Sequence, residues 1–238
     1  MNDGDSTEIR ANTVLPAERR DITLTTADGL TLVGELALPL GRPAVSSLIT
    51  VHPLPTAGGF MDSHLLRKAS YRLPELHDIA VLRFNTRGTS SDHGTSDGVF
   101  DEGRGERYDV EAAQRFATDQ QLPRPFLVGW SFGSDLALMY GNPDQVEGLV
   151  LISPPLRHSQ LADLKRWDES GKPVLVLVPE LDDYLRPQEA RERFAAIRGA
   201  RVVGVEGAKH LWVGEKYVTR VMQEVVEFVT GGTSVEAG

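Results

Sequence analysis

Apolar residues recur along this chain in two rhythms. Short, mostly apolar runs occur at 48–51, 80–84, 125–128, 149–152, 174–178 and 202–205. Between them apolar positions return every third or fourth residue, as in Leu65, Ala69, Leu73, then Ala190, Phe194, Ile197, then Val218, Val221, Val225, Phe228. The first rhythm marks strands buried on both faces, and the second marks helices with one apolar stripe. Their alternation predicts an α/β fold, a mostly parallel sheet with helices on both faces. Ahead of it, segments 21–26 and 31–38 flank Ala27-Asp28-Gly29, and an Asp-Gly reversal between two strand patterns signals an antiparallel hairpin. Hairpin and runs together predict eight strands.

Residues 1–18 and 231–238 are small and polar without periodicity, so they read as tails around a single domain at 19–230. No repeat or long Pro/Gly/Ser linker divides the 238 residues, whose 40% apolar content suffices for a core. The net charge of −9, with no basic patch, disfavours nucleic acid as a partner. Cysteine is absent, which excludes disulfides and thiolate nucleophiles. No apolar stretch approaches the ~20 residues that span a bilayer, and the acidic start lacks the pattern of a signal peptide. A cytoplasmic protein is expected.

In open parallel sheets, reactive groups gather beyond the carboxyl ends of strands. There, Gly129-Trp130-Ser131-Phe132-Gly133 lies between a predicted strand and a helix-like run at 134–140. G-x-S-x-G in that setting makes a sharp turn that lifts the serine hydroxyl above the sheet, and the Phe132 N–H at the new helix start is free to hold an oxyanion. The plainer reading is a serine that merely caps the helix. A nucleophile, however, needs a base, and the base needs an acid to orient it. Strand run 174–178 leads into Glu180-Leu181-Asp182-Asp183-Tyr184, and run 202–205 leads into Gly207-Ala208-Lys209-His210. An acid and a histidine thus follow Ser131 in the order serine, acid, histidine.

With these motifs the chain resembles the α/β-hydrolase superfamily over nearly its whole ordered length. It looks most like small bacterial serine hydrolases of the dienelactone-hydrolase-like group. His52-Pro53-Leu54-Pro55 with Gly58-Gly59 resembles that group's His-Pro run after the third strand. Leu82-Arg83-Phe84-Asn85-Thr86-Arg87-Gly88 resembles its Arg-Gly turn, and Gly105-Glu106 with Asp109 its next helix start. Leu54 stands where relatives often have a second histidine, and the cysteine nucleophile of dienelactone hydrolase itself has no counterpart here. The resemblance implies an α/β-hydrolase fold without a large lid, since only one candidate helix fits between the sixth and seventh strands.

The resemblance also implies the site. Ser131 is the expected nucleophile and His210 the base. Asp183 is the expected acid, because its spacing to Pro187 matches relatives, and Asp182 is its competitor as a turn or helix cap. The oxyanion donors are expected at Phe132 and Leu54, the latter because Pro53 and Pro55 lack an N–H. His52 either shapes the pocket or bonds its own turn. Trp130, Tyr184 and Trp212 are the other pocket candidates, with walls from segments 57–61, 89–100 and 154–160. Asp135, one turn below Ser131, reads as solvated or as a helix-start charge. No H-E-x-x-H, metal-ligand spacing or phosphate-cradling glycine loop occurs, so no metal and no cofactor are expected. The expected activity is serine hydrolysis of a small-molecule ester or related acyl bond, of carboxylesterase type. The alternatives are a peptidase or acyltransferase with the same triad, and a catalytically idle binding or signalling module.

Overall fold

The computed structural model describes residues 9–231. Strands β1 (Glu18–Thr25) and β2 (Thr31–Leu38) form the antiparallel hairpin. They are followed by β3 (Ser46–Val51), β4 (Ile79–Phe84), β5 (Pro125–Trp130), β6 (Gly148–Ile152), β7 (Val174–Pro179) and β8 (Arg201–Val205). All eight join one sheet in the order β1-β2-β4-β3-β5-β6-β7-β8. Pairings from β4 through β8 are parallel, whereas β2 meets β4 antiparallel. From β3 the chain crosses to β4 on one side and later to β5 on the other. That reversal opens a crevice at the carboxyl ends of β3 and β5, where α/β sheets hold their ligands.

Helices α1 (His64–His77), α2 (Glu106–Asp119), α3 (Phe132–Tyr140), α4 (Leu161–Ser170), α5 (Pro187–Phe194) and α6 (Glu215–Thr230) cover both faces. Side chains alternate across a strand, so β7 sends Val174, Val176 and Val178 toward α2 to α5 and Leu175 and Leu177 toward α1 and α6. Both faces are packed, which is why the strand reads as an unbroken apolar run. Only α4 lies between β6 and β7, so no lid domain covers the sheet's carboxyl edge.

Two expectations change. The segment before β1 is not a tail over 10–17: the Leu15 N–H donates to the Tyr71 carbonyl at 3.0 Å, Leu15 is buried, and Arg72 reaches the Arg10 carbonyl. Its apolar payload is one leucine, too little to register as periodicity. The tail expectations at 1–8 and 232–238 lie outside the described residues. Asp135 is not solvated either. Its fully buried carboxylate accepts the N–H groups of Arg157, His158 and Ser159 at 3.1, 3.2 and 3.3 Å and the Ser159 hydroxyl at 2.5 Å. A helix position one turn from Ser131 thereby anchors the loop at 157–159.

Candidate active site

Ser131 sits between β5 and α3 with φ 54° and ψ −119°, a region costly for any residue with a Cβ. The surrounding bonds over-determine it: its N–H donates to Ile152 O at 2.8 Å, and its carbonyl accepts the Ser134 N–H at 2.8 Å and the Ser134 hydroxyl at 2.5 Å. Both flanking glycines are sterically required. A Cβ on Gly129 would lie 2.5 Å from Cα of Ser134, and one on Gly133 would overlap the carbonyls of Val51 and His52. The turn thus presses the start of α3 against the end of β3. The Ser131 side chain makes no cap bond to the helix, so its hydroxyl is left for other work.

That hydroxyl lies 2.8 Å from Nε2 of His210, and His210 Nδ1 lies 2.8 Å from Oδ2 of Asp182. The carboxylate can only accept, so Nδ1 carries the proton and Nε2 is the free acceptor facing Ser131. Asp182, not Asp183, is therefore the acid that the structure brings to His210. Asp182 is 3% exposed, and its Oδ1 also accepts the N–H groups of Tyr184 at 2.8 Å and Leu185 at 3.3 Å. Asp183, one residue on, faces solvent. The turn leaving β7 is fastened to the histidine loop by Leu181 N–H on Ala208 O at 2.9 Å, and this register turns Asp182 inward. The spacing to Pro187 cannot separate neighbours that differ only in which way the chain turns.

The remaining candidates divide. The Phe132 N–H, first in α3, and the Leu54 N–H, between two prolines, have no backbone partner among the described residues. Tyr184 is half exposed and sets its ring edge-on to His210, with centroids 4.7 Å apart. His52 corrects toward its structural reading: it is fully buried, Nδ1–H donates to Pro53 O at 2.7 Å, and Nε2 accepts the Thr86 N–H at 3.0 Å. It joins the ends of β3 and β4, and burial pushes its pKa down to about 4. Trp130 and Trp212 are buried at 1% and 0% exposure, so neither lines an open pocket. Their indoles lie beneath the histidine loop: Trp130 Nε1 points at His210 O at 3.5 Å, and Trp212 Nε1 donates to the Ser153 hydroxyl at 2.8 Å.

No family model and no curated protein matches the chain. Solved structures do. XC6422 from Xanthomonas campestris, an α/β serine hydrolase without a lid, is 25% identical with a TM-score of 0.73, covering 95% of this chain and 100% of that one. The protein belongs to the α/β-hydrolase superfamily. An α/β serine hydrolase homologue from Coxiella burnetii (22% identity, TM-score 0.72, covering 90% and 97%) and the Pyrococcus furiosus esterase Pf2001 (17%, 0.73, 90% and 91%) share its fold.

In this α/β-hydrolase fold no lid domain is inserted between β6 and β7. A cavity of about 810 Å³ lies at the far end of the sheet between α1 and α6, beside Val45, Asp78 and Arg124, and does not touch Ser131. The hydrogen-bonded groups, not this cavity, mark the site. The loops expected as walls are each tied down by one buried polar group. Asn85 accepts the Met61 N–H at 2.9 Å, Glu106 accepts the N–H groups of Asp101 and Gly103 at 2.8 Å each, and Asp135 holds 157–159. Phe132 is buried, its ring edge-on to Phe100 at 5.6 Å and to His158 at 5.4 Å. Among the described residues no group of three or more His, Asp or Glu side chains could hold a metal ion. Sequence reasoning missed Ser153, and no signal in a single sequence sets it apart from other loop serines.

Proposed function

We propose that this α/β hydrolase cleaves small carboxylic esters, or closely related acyl bonds, through an acyl-enzyme formed on Ser131. The observation that carries the reading is the unbroken relay of 2.8 Å contacts from Ser131 to His210 to Asp182, set at a backbone position strained enough to need a reason. In this mechanism Ser131 Oγ attacks the carbonyl carbon while His210 Nε2 takes its proton. The buried Asp182 carboxylate stabilises the imidazolium that forms. The amides of Phe132 and Leu54 receive the developing oxyanion, since both are unspent donors. Collapse of the tetrahedral species expels the alcohol, which leaves with the proton from His210. Water, activated by the same Nε2, then attacks the acyl group and restores the serine.

The open crevice favours short acyl groups over long chains that need an enclosing tunnel. Esters are preferred over amides because an alkoxide leaves more readily than an amide anion. Hydrolysis of p-nitrophenyl esters of increasing acyl length tests the reading. Turnover highest for the shortest chains and lost in Ser131→Ala is the expected result, and equal turnover by the variant refutes it.

A further inference from the structure

The Ser131–His210 contact joins two loops whose residues lie 79 positions apart, and something must fix their separation. One dipeptide touches both. Ile152, the last residue of β6, accepts the Ser131 N–H at 2.8 Å. Ser153, the next residue, donates its hydroxyl to the His210 carbonyl at 3.1 Å. The hydroxyl cannot swing away, because the Trp212 indole N–H occupies its oxygen at 2.8 Å. Ser153 is buried, pinned by its own N–H on Leu177 O at 2.8 Å, and held at φ 48°, where a Cβ is strained. From the other side His64 Nε2 donates to the carbonyl of Leu211 at 2.6 Å, and its ring packs edge-on against Trp130 at 5.3 Å.

We infer that Ser153 is a positioning residue that sets the separation of Ser131 and His210, by tying the histidine loop to the strand end that also holds the serine. The inference rests on the serine-hydrolase reading above. It explains why a strained, non-glycine residue persists at this turn: glycine would relieve the backbone but has no hydroxyl to reach the His210 carbonyl. It also gives the two buried tryptophans a common task, since the Trp130 indole N–H points at the His210 carbonyl and the Trp212 indole N–H holds the Ser153 hydroxyl.

Strain lets positioning be separated from stability. Ser153→Ala keeps the Cβ and loses the hydroxyl, whereas Ser153→Gly loses both the hydroxyl and the strain. If Ser153 positions the histidine, both variants lose about 10- to 100-fold in kcat with KM little changed, although the glycine variant melts at a higher temperature than the alanine variant. In both, the far-downfield proton resonance of His210 Nδ1 shifts or broadens relative to wild type. If the role is only structural, activity follows melting temperature, the glycine variant recovers kcat and the resonance stays in place; that result overturns the inference. A wild-type protein that turns over no ester would refute the functional reading instead. The resonance in Ser153→Gly then decides alone: displaced, it supports the positioning role, and unmoved, it overturns it.

Discussion

Oδ2 of Asp182 lies 2.8 Å from Nδ1 of His210, and the same carboxylate caps its own turn through Tyr184 and Leu185. One side chain thus both shapes the turn leaving β7 and fixes the tautomer of the histidine. Asp182→Asn offers an amide that satisfies the turn but not the imidazolium. It is expected to lower kcat by about 10³- to 10⁴-fold with the fold retained, while Asp183→Asn, at an exposed position, stays near wild type. Steady-state kinetics on a p-nitrophenyl ester, with melting curves as a control, check the pair.

Gly133 abuts the carbonyls of Val51 and His52 too closely for any side chain. Gly133→Ala must push α3 away from β3. A loss of about 3 kcal/mol or more is expected, comparable to severe core overpacking. Urea unfolding measures it, and a loss below about 1 kcal/mol would contradict the packing argument.

How much of this was legible beforehand depended on whether the signal was local. Strands β6 and β7 are buried on both faces, so their apolar runs predict them to within a residue. The elbow was legible too, because glycines two residues either side of Ser131 answer contacts made within a few residues and against one neighbouring strand. Choosing Asp182 over Asp183 needed the direction of a turn, which is set by Leu181 N–H on Ala208 O, a bond to a distant loop. The burial of Trp130, Trp212 and His52 likewise arises from partners more than thirty residues away. Asp135 reads as an ordinary helix-start acid because three of its four donors are backbone N–H groups of 157–159, which carry no sequence signature.

The Asp135 carboxylate gathers four donors from one loop. Asp135→Ala leaves a cavity at a buried position and releases those donors, which sit on a half-exposed loop. A loss of about 2–4 kcal/mol is expected, together with faster proteolytic nicking near 154–160. Limited proteolysis followed by mass mapping locates the cut, and nicking elsewhere would contradict the anchoring role.

His52 supplies a pH dependence. Burial lowers its pKa from an ordinary 6.5 to about 4, so the unfolded chain binds the proton more readily than the folded one. Its stabilising contribution is fully present above pH 6.5 and is lost as pH falls from there through about 4. Between pH 7 and 4.5 this single group accounts for a loss of about 2–3 kcal/mol. His52→Gln is expected to unfold more readily at pH 7 but to show a shallower decline toward acid. Urea titrations of both proteins at the two pH values check it, and parallel declines would contradict it.

The proposed hydrolysis stands or falls with Ser131 as a nucleophile activated by His210. A fluorophosphonate modifies such a serine far faster than an ordinary hydroxyl, so the most direct measurement is the mass of the protein after brief exposure, with the modified peptide mapped. One adduct on the peptide carrying Ser131, absent from Ser131→Ala and strongly slowed in His210→Ala, is the predicted result. An unmodified wild-type protein, or an adduct that persists when Ser131 is replaced, would contradict it.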